Sequence, residues 1–156
     1  MIKILFVCLG NICRSPMAEG LMKKKIKDAG YEHLFHVESR ATSTYEIGQP
    51  PHPKTQAILK RENAMLDKKT AQQISSHDFE IFDYIIAMDQ SNVINLKRMR
   101  SSQQHKIYLL RDIDPKTKNE DVPDPYYSGR YEETFKLIDE SLDVWLNHLK
   151  NNVDSY

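Results

Sequence analysis

An apolar run that stops abruptly at a polar loop is the feature that most constrains the fold. Residues 2–7 read IKILFV, and the loop CLGNICR follows at once, before Ser15 and Pro16. Apolar and β-branched residues suit a strand that is buried on both faces, whereas Ser before Pro is typical of the N-cap and first position of a helix. The sequence therefore predicts a strand, a tight loop and a helix that ends at Gly30.

The same alternation continues along the chain and predicts an α/β fold. Strands that alternate with helices favour a parallel sheet. Ligands of such sheets bind beyond the carboxyl ends of the strands, so the loop after the first strand lies where a site is expected. Further strands are predicted at 35–42, 82–89 and 106–110, helices over 52–63, from Ser91 as N-cap, and over 130–150, and a long loop over 112–129.

The composition argues against several classes of protein. The 156 residues are enough for one domain, predicted over 1–156, and 22 basic residues balance 22 acidic ones, which gives no sign of a nucleic-acid or membrane partner. No apolar run approaches the ~20 residues of a membrane span, and the start shows no signal-peptide pattern. Two cysteines do not make a secreted disulfide framework, so we expect a reducing, cytoplasmic setting. No metal-ligand spacing is present, and no cofactor is expected.

The loop itself carries a thiol and a guanidinium. Cys8 and Arg14 enclose five residues, a pattern distinct from the nucleotide loop G-x4-G-K-[ST] and from G-x-G-x-x-G. The N–H groups of such a loop can face a tetrahedral anion, the start of the helix adds positive potential, and the arginine can pair two phosphate oxygens. Cys8 alone would more often be a small buried side chain, but in this context we expect an ionised thiol that attacks a bound phosphoryl group.

Four segments together resemble one known family. CLGNICRSPMAE (8–19) resembles the active-site loop of the low-molecular-weight protein tyrosine phosphatases, and DPYY (124–127) matches the acid loop of that family. RATSTYEIGQPP (40–51) and FDYIIAMDQSN (82–92) match other family segments, in the right order. The resemblance implies a central four-stranded parallel sheet with helices on both faces, a phosphate-binding loop after the first strand, and hydrolysis of phosphotyrosine without a metal.

The resemblance also implies a role for individual residues. Cys8 is the expected nucleophile, Arg14 the phosphate ligand and Asp124 the general acid, which a tyrosyl leaving group with a pKa near ~10 requires. Asn11 is expected to hold the loop in shape, and Ser15 to donate a hydrogen bond to the Cys8 sulfur. The remaining expected site residues line the phosphate loop and the walls of the cleft, or support the loop from behind: Leu9, Gly10, Ile12, Cys13, Tyr45, Tyr126 and Tyr127 in the first group, Ser39 and Asp89 in the second. The stretch 66–75 matches the family only loosely, so roles for Lys68 and Lys69 stay open.

Cys13 is not explained by hydrolysis, because a phosphate cradle needs only backbone at that position. A loop curled around a small anion brings Cys13 near Cys8, and bridging needs Cα atoms within roughly 7 Å. An oxidised Cys8 is therefore expected to condense with Cys13 to a disulfide, a pairing that the family resemblance also implies. The alternative is that Cys13 packs only as a small side chain.

Three other functions compete with phosphotyrosine hydrolysis. Protein-arginine phosphatases of the same superfamily resemble this loop but carry Thr where Ile12 stands and lack the tyrosine pair, and arsenate reductases use further cysteines, whereas none follows residue 13. A module that only binds phosphoproteins would need neither nucleophile nor acid. We therefore expect an enzyme whose substrates are tyrosine-phosphorylated proteins, with inorganic phosphate and similar oxyanions as competing ligands. A monomer is expected, and weak self-association stays open as the alternative.

Overall fold

A computed structural model describes residues 1–153 and contains a four-stranded, all-parallel sheet. Residues 154–156 of the predicted domain lie outside the described residues. The strands are β1 (Ile2–Cys8), β2 (Phe35–Ala41), β3 (Tyr84–Ala87) and β4 (Ile107–Leu109), in the spatial order β2-β1-β3-β4. The predicted parallel α/β fold is confirmed, and β1, which leads into the C-x5-R loop, lies between two neighbours.

Alternate residues of β1 pack into two separate apolar layers. Ile4 and Phe6 belong to the layer on one face of the sheet, and Leu5 and Val7 belong to the layer on the other. All four side chains are fully buried. A strand covered on both faces needs no polar alternation, so the apolar run IKILFV predicted this arrangement correctly.

Within residues 1–153, six α-helices surround the sheet. α1 follows the C-x5-R loop, α6 is the long helix near the end of the described chain, and four shorter helices lie between them. Their bounds are Arg14–Asp28 for α1, Pro53–Arg61 for α2, Ser76–Ile81 for α3, Gln90–Met99 for α4, Pro125–Ser128 for α5 and Tyr131–Val153 for α6. None of the helices in residues 1–153 has the length and apolar character that a membrane crossing would need.

Two predicted helix starts are wrong. α1 begins at Arg14 with Cys13 in the N-cap position, because the hydroxyl of Ser15 is engaged with the loop instead of capping the helix. α4 is capped by Asp89, not by Ser91: the Asp89 carboxylate accepts from the N–H of Asn92, whose side chain accepts from the N–H of Asp89. A carboxylate with this reciprocal partner is a strong cap. Because Asp89 caps α4, the strand that was predicted over 82–89 ends at Ala87.

Some structure was not predicted at all. α3 is a short helix whose start is fixed by a capping box between Ser75 and Asp78. The predicted loop 112–129 is not irregular throughout, since it contains a 3₁₀ turn at Pro115–Thr117 and the single turn α5. These elements are too short to show helical periodicity in a sequence.

The apolar stripe of α6 closes the core. Ile138, Leu142, Trp145 and Leu149 are buried as predicted, while Phe135 is only partly buried. Trp145 also donates a hydrogen bond from its indole N–H to the carbonyl of Leu110 at 2.8 Å. This contact ties α6 to the end of β4, from which the chain runs toward Asp124.

Candidate active site

The loop between β1 and α1 curls around the sulfur of Cys8. The N–H groups of Asn11 and Ser15 donate to this sulfur at 3.3 and 3.4 Å, and the Ser15 hydroxyl lies 3.0 Å from it. Asn11 is fully buried and has a φ of 58°, in the left-handed region that Asn tolerates better than most residues. Donors that converge on one sulfur stabilise negative charge there.

A chain of hydrogen bonds decides which way the Ser15 hydroxyl points. The Asn11 amide donates to the Ser15 oxygen at 2.7 Å and to the Ser39 oxygen at 2.9 Å. Ser15 therefore has its own hydrogen free to donate, and the sulfur of Cys8 at 3.0 Å is a closer acceptor than the carbonyl of Arg40 at 3.5 Å. The network orients Ser15 as a donor toward Cys8.

Behind Ser39, this chain of hydrogen bonds ends at a buried ion pair between Glu19 and Lys69. The Ser39 hydroxyl donates to the carboxylate of Glu19 at 2.6 Å, and the ammonium of Lys69 lies 3.5 Å from the same carboxylate oxygen. Lys69 also donates to the Ser39 carbonyl at 2.8 Å. Burial lowers the pKa of Lys69, and the charge of Glu19 opposes that shift. Lys69 thus reaches the loop only through Ser39 and Glu19.

The backbone of the loop presents its N–H groups inward. A trans peptide directs its carbonyl and the following N–H to opposite sides, and no described peptide bond is cis. Three loop carbonyls point outward to donors in the body of the protein, so the N–H that follows each of them faces the interior of the loop. The Leu9 carbonyl accepts from the N–H of Ser43 at 3.1 Å, and the Ile12 carbonyl accepts from the N–H of His52 at 2.8 Å. The Cys13 carbonyl accepts from the hydroxyl of Thr55 at 3.3 Å.

Arg14 is held rigidly beneath this loop although it is charged. Its side chain is 2 % exposed, and it donates to Asp89 at 2.7 Å and to the carbonyl of Val122 at 2.8 Å. Burial alone would lower the pKa of Arg14, but negative charge on Cys8 and Asp89 outweighs burial and raises it. Its buried Nε–H has no hydrogen-bond partner within residues 1–153, and an oxyanion seated in the loop is the kind of acceptor it lacks.

Asp124 enters the site from the start of α5. One carboxylate oxygen caps this helix by accepting from the N–H of Tyr126 at 3.0 Å, and the other lies 3.4 Å from the Arg14 guanidinium. The preceding backbone is anchored as well, since the N–H of Val122 donates to the carbonyl of Met88 at 2.9 Å. The carboxylate is therefore fixed on the same cleft as the Cys8 sulfur.

A small cleft of about 60 Å³ opens above the loop. Tyr45, Tyr126 and Tyr127 stand at its mouth with exposed rings, and Tyr126 and Tyr127 contact each other edge to face. The structure brings all the predicted wall residues together at this cleft, and it places Asn11, Arg14, Ser15, Ser39 and Asp89 below or behind it. The lining consists of Cys8, Leu9, Gly10, Ile12, Cys13, Tyr45, Glu46, Asp124, Tyr126 and Tyr127.

The two cysteines are free, buried and in different environments. The sulfur of Cys13 lies 3.3 Å from the hydroxyl of Tyr131, the first residue of α6. Burial raises the pKa of the Cys13 thiol to about 11, against the opposing effect of the Tyr131 hydrogen bond. Cys13 is therefore a protonated thiol at neutral pH.

The prediction from sequence missed several residues that lie in or beside the site. Glu19 has a detectable signal in the sequence, because it lies four residues after Ser15, on the face of α1 that also carries the buried Ala18 and Met22. Glu46 adjoins the predicted wall residue Tyr45 and lines the cleft itself. Tyr131 and the Val122 carbonyl act through tertiary contacts that no spacing shows. Within residues 1–153, no group of three or more His, Cys, Asp or Glu side chains is arranged to hold a metal ion.

Comparison with known proteins agrees with this geometry. The chain is 42% identical, over 149 residues, to the low molecular weight protein-tyrosine-phosphatase PtpA of Staphylococcus saprophyticus, covering 96% of this chain and 94% of that one. The solved structure of YfkJ from Bacillus subtilis superposes with a TM-score of 0.93 at 41% identity, over 97% and 96% of the two chains. A Drosophila arginine phosphatase superposes with a TM-score of 0.88 at 33% identity, over 96% and 98%.

The family model for low molecular weight phosphotyrosine protein phosphatase matches residues 3–155, a span that contains the C-x5-R loop, Asp124 and every strand after the first residue of β1. A match of this extent agrees with the fold and with the relatives above. The chain belongs to the low molecular weight phosphotyrosine protein phosphatase family.

Proposed function

We propose that this enzyme hydrolyses phosphotyrosine in proteins through a covalent phosphocysteine. The observation that carries the proposal is the joint position of Cys8 and Asp124 on one cleft with exposed tyrosine rings at its mouth. A nucleophile, an acid and aromatic walls at one place match the needs of an aryl phosphate. Neither a bound metal nor a cofactor has a part in this scheme.

In the first step the Cys8 thiolate attacks phosphorus. The S–P bond forms, the P–O bond to the tyrosyl group breaks, and protonated Asp124 gives its proton to the departing phenol oxygen. Arg14 and the inward N–H groups of the loop hold the phosphoryl oxygens, whose charge is spread in the transition state. Asp89 and Val122 position the guanidinium but touch no substrate.

In the second step water hydrolyses the phosphocysteine. Water attacks phosphorus and gives a proton to the Asp124 carboxylate, the S–P bond breaks, and phosphate leaves together with a regenerated Cys8 thiolate. The Ser15 hydroxyl, oriented by Asn11, stabilises the sulfur as it regains negative charge. Inorganic phosphate is thus expected to compete with substrate for the same loop.

The walls favour phosphotyrosine over phosphoarginine. Ile12 offers no polar group to a guanidinium, and the paired rings of Tyr126 and Tyr127 suit an aromatic substrate. The resemblance to an arginine phosphatase makes phosphoarginine the substrate against which this preference must be measured. We place the enzyme in a reducing, cytoplasmic setting, because its proposed nucleophile is a free thiol.

The test is turnover of p-nitrophenyl phosphate and of a phosphotyrosine peptide. The wild type should release a burst of p-nitrophenol equal to the enzyme concentration, since the phosphocysteine accumulates before it is hydrolysed. Cys8→Ser should abolish turnover and the burst while retaining phosphate binding. Cys13→Ser serves as the matched thiol control, which should retain turnover and the burst. Full activity of Cys8→Ser, or loss of activity with EDTA that a divalent ion restores, would overturn the proposal.

A further inference from the structure

A second groove lies beside the cleft and shares two of its walls. Leu9 and Tyr45 line both depressions, so the Tyr45 side chain, which is 79 % exposed, forms a ridge between them. The groove encloses about 420 Å³, compared with about 60 Å³ for the cleft. A polypeptide whose phosphotyrosine occupies the cleft therefore meets this groove with one of its flanks.

The far wall of the groove is one face of α4. Arg98 and Met99 come three and four residues after Asn95, so all three lie on the same side of the helix. Met99 is 41 % exposed, and a flexible thioether adapts to side chains of different shape. The near wall is Thr42 and Ser43, at the carboxyl edge of the sheet.

Among residues 1–153, Arg98 is the only charged residue in the lining of this groove. Within the described part of the chain its side chain makes no ion pair and no hydrogen bond. The side chains of other arginines do pair with acidic residues, as at Arg14, Arg40, Arg61, Arg100 and Arg111. Thr42 contributes a buried hydroxyl that also has no partner there. The groove thus combines an unpaired cation, one hydroxyl without a partner and an adaptable apolar wall.

We infer that this groove is a substrate subsite that binds one flank of the phosphotyrosine segment and selects an acidic side chain in it. The inference rests on the proposed function for the position of the phosphotyrosine, and it adds the residues that distinguish one phosphoprotein from another. An Asp or Glu that reaches Arg98 forms an exposed ion pair, which is worth about a two- to fivefold change in kcat/KM. The contact lies away from the reacting atoms, so it acts on KM and leaves kcat unchanged.

The experiment uses one phosphotyrosine peptide in which a single Glu is moved through the three positions on each side, with Gln at the same positions as the neutral comparison. For the wild type, Glu at one position or more on a single flank should raise kcat/KM about two- to fivefold over Gln. Arg98→Gln should remove this gain and Arg98→Glu should reverse it. Lys97→Glu is the matched control, because Lys97 is the preceding exposed residue of α4 and does not line the groove.

All these variants should hydrolyse p-nitrophenyl phosphate at the wild-type rate, and the gain should shrink at high salt. The subsite is refuted if no position favours Glu, if the gain survives Arg98→Glu, or if Lys97→Glu removes it equally. A failure of the proposed function can be distinguished from a failure of the subsite. Binding of the Glu and Gln peptides to Cys8→Ser, measured by fluorescence anisotropy, tests recognition by the groove without requiring turnover. Equal binding of the two peptides there would also refute the subsite.

Discussion

Replacing Asp89 should both free the side chain of Arg14, the proposed phosphate-binding residue, and destabilise the fold. The structure allows the two effects to be separated. One Asp89 oxygen accepts from Arg14 at 2.7 Å, and the other caps α4 by accepting from the N–H of Asn92 at 2.8 Å. Asp89→Asn has a single amide oxygen, which can serve Arg14 or the cap but not both. Asp89→Ala loses both contacts.

The expected cost follows from the burial of the pair. Removing one partner of a buried ion pair costs about 3–5 kcal/mol, but Asp89 is 19 % exposed, and Arg14 retains the Val122 carbonyl and the Asp124 carboxylate. We therefore expect Asp89→Asn to lower the free energy of unfolding by about 2 kcal/mol. Asp89→Ala should lower it by about 3 kcal/mol, since a lost cap adds about 1 kcal/mol.

The assay is urea unfolding combined with turnover of p-nitrophenyl phosphate. Because a misplaced phosphate ligand costs catalysis steeply, kcat should fall by about tenfold to hundredfold in both variants. Ser75→Ala is the matched control: it removes the cap of α3, which also belongs to a capping box, and should cost about 1 kcal/mol of unfolding free energy with no loss of kcat. If Asp89→Asn behaves like Ser75→Ala in both measurements, Asp89 does not position Arg14.

Five further outcomes are expected. Asp124→Ala should slow phenyl phosphate hydrolysis by about 10²–10⁴-fold and substrates with good leaving groups far less; equal losses would exclude Asp124 as the acid. Iodoacetamide at pH 8 should label Cys8 and spare Cys13 in mass spectra, because the raised pKa of about 11 keeps Cys13 protonated. The pKa of Cys13 in the folded protein also exceeds the ordinary value of 9.0. As the pH rises from 9 toward 11, the wild type should therefore lose stability relative to Cys13→Ser. Peroxide should inactivate the wild type reversibly, and Cys13→Ser should lose most of the recovery with dithiothreitol, whereas equal recovery or no Cys8–Cys13 bridge would exclude the disulfide. Ile12→Thr should raise phosphoarginine turnover relative to phosphotyrosine, and an unchanged ratio would count against Ile12 as the selective residue.

The parts of the fold that could be predicted are those that one local pattern determines. The apolar run of β1 identified a strand covered on both faces, and the stripe of α6 identified its buried side. The prediction of a helix start was wrong where a polar side chain could form either of two sets of hydrogen bonds. Ser15 looks like a cap in isolation, but its hydroxyl is taken by Asn11 and Cys8, which lie close to it only after the loop has closed.

The same distinction separates the predicted from the missed parts of the site. The C-x5-R spacing of Cys8 and Arg14 by itself indicates a loop that binds a phosphate, whereas the expected role of Asp124 follows from the resemblance of the DPYY segment to the family's acid loop. The supports of these residues come from distant parts of the chain: Lys69 reaches Glu19 across 50 positions, and Val122 reaches Arg14 across 108. Such contacts depend on the packing of the sheet and not on sequence spacing, so only the structure reveals them.

The structure also explains how one short loop can supply both binding and reactivity. The outward carbonyls of Leu9, Ile12 and Cys13 are each tied to a different part of the chain, so the inward N–H groups are fixed before any anion arrives. The Ser15 hydroxyl is oriented by a network that ends on the buried pair of Glu19 and Lys69. Preorganised donors lower a barrier because they need no rearrangement as charge develops. It follows that disrupting Glu19, which touches neither sulfur nor substrate, should harm catalysis only through the freedom it gives to Ser39, Asn11 and Ser15.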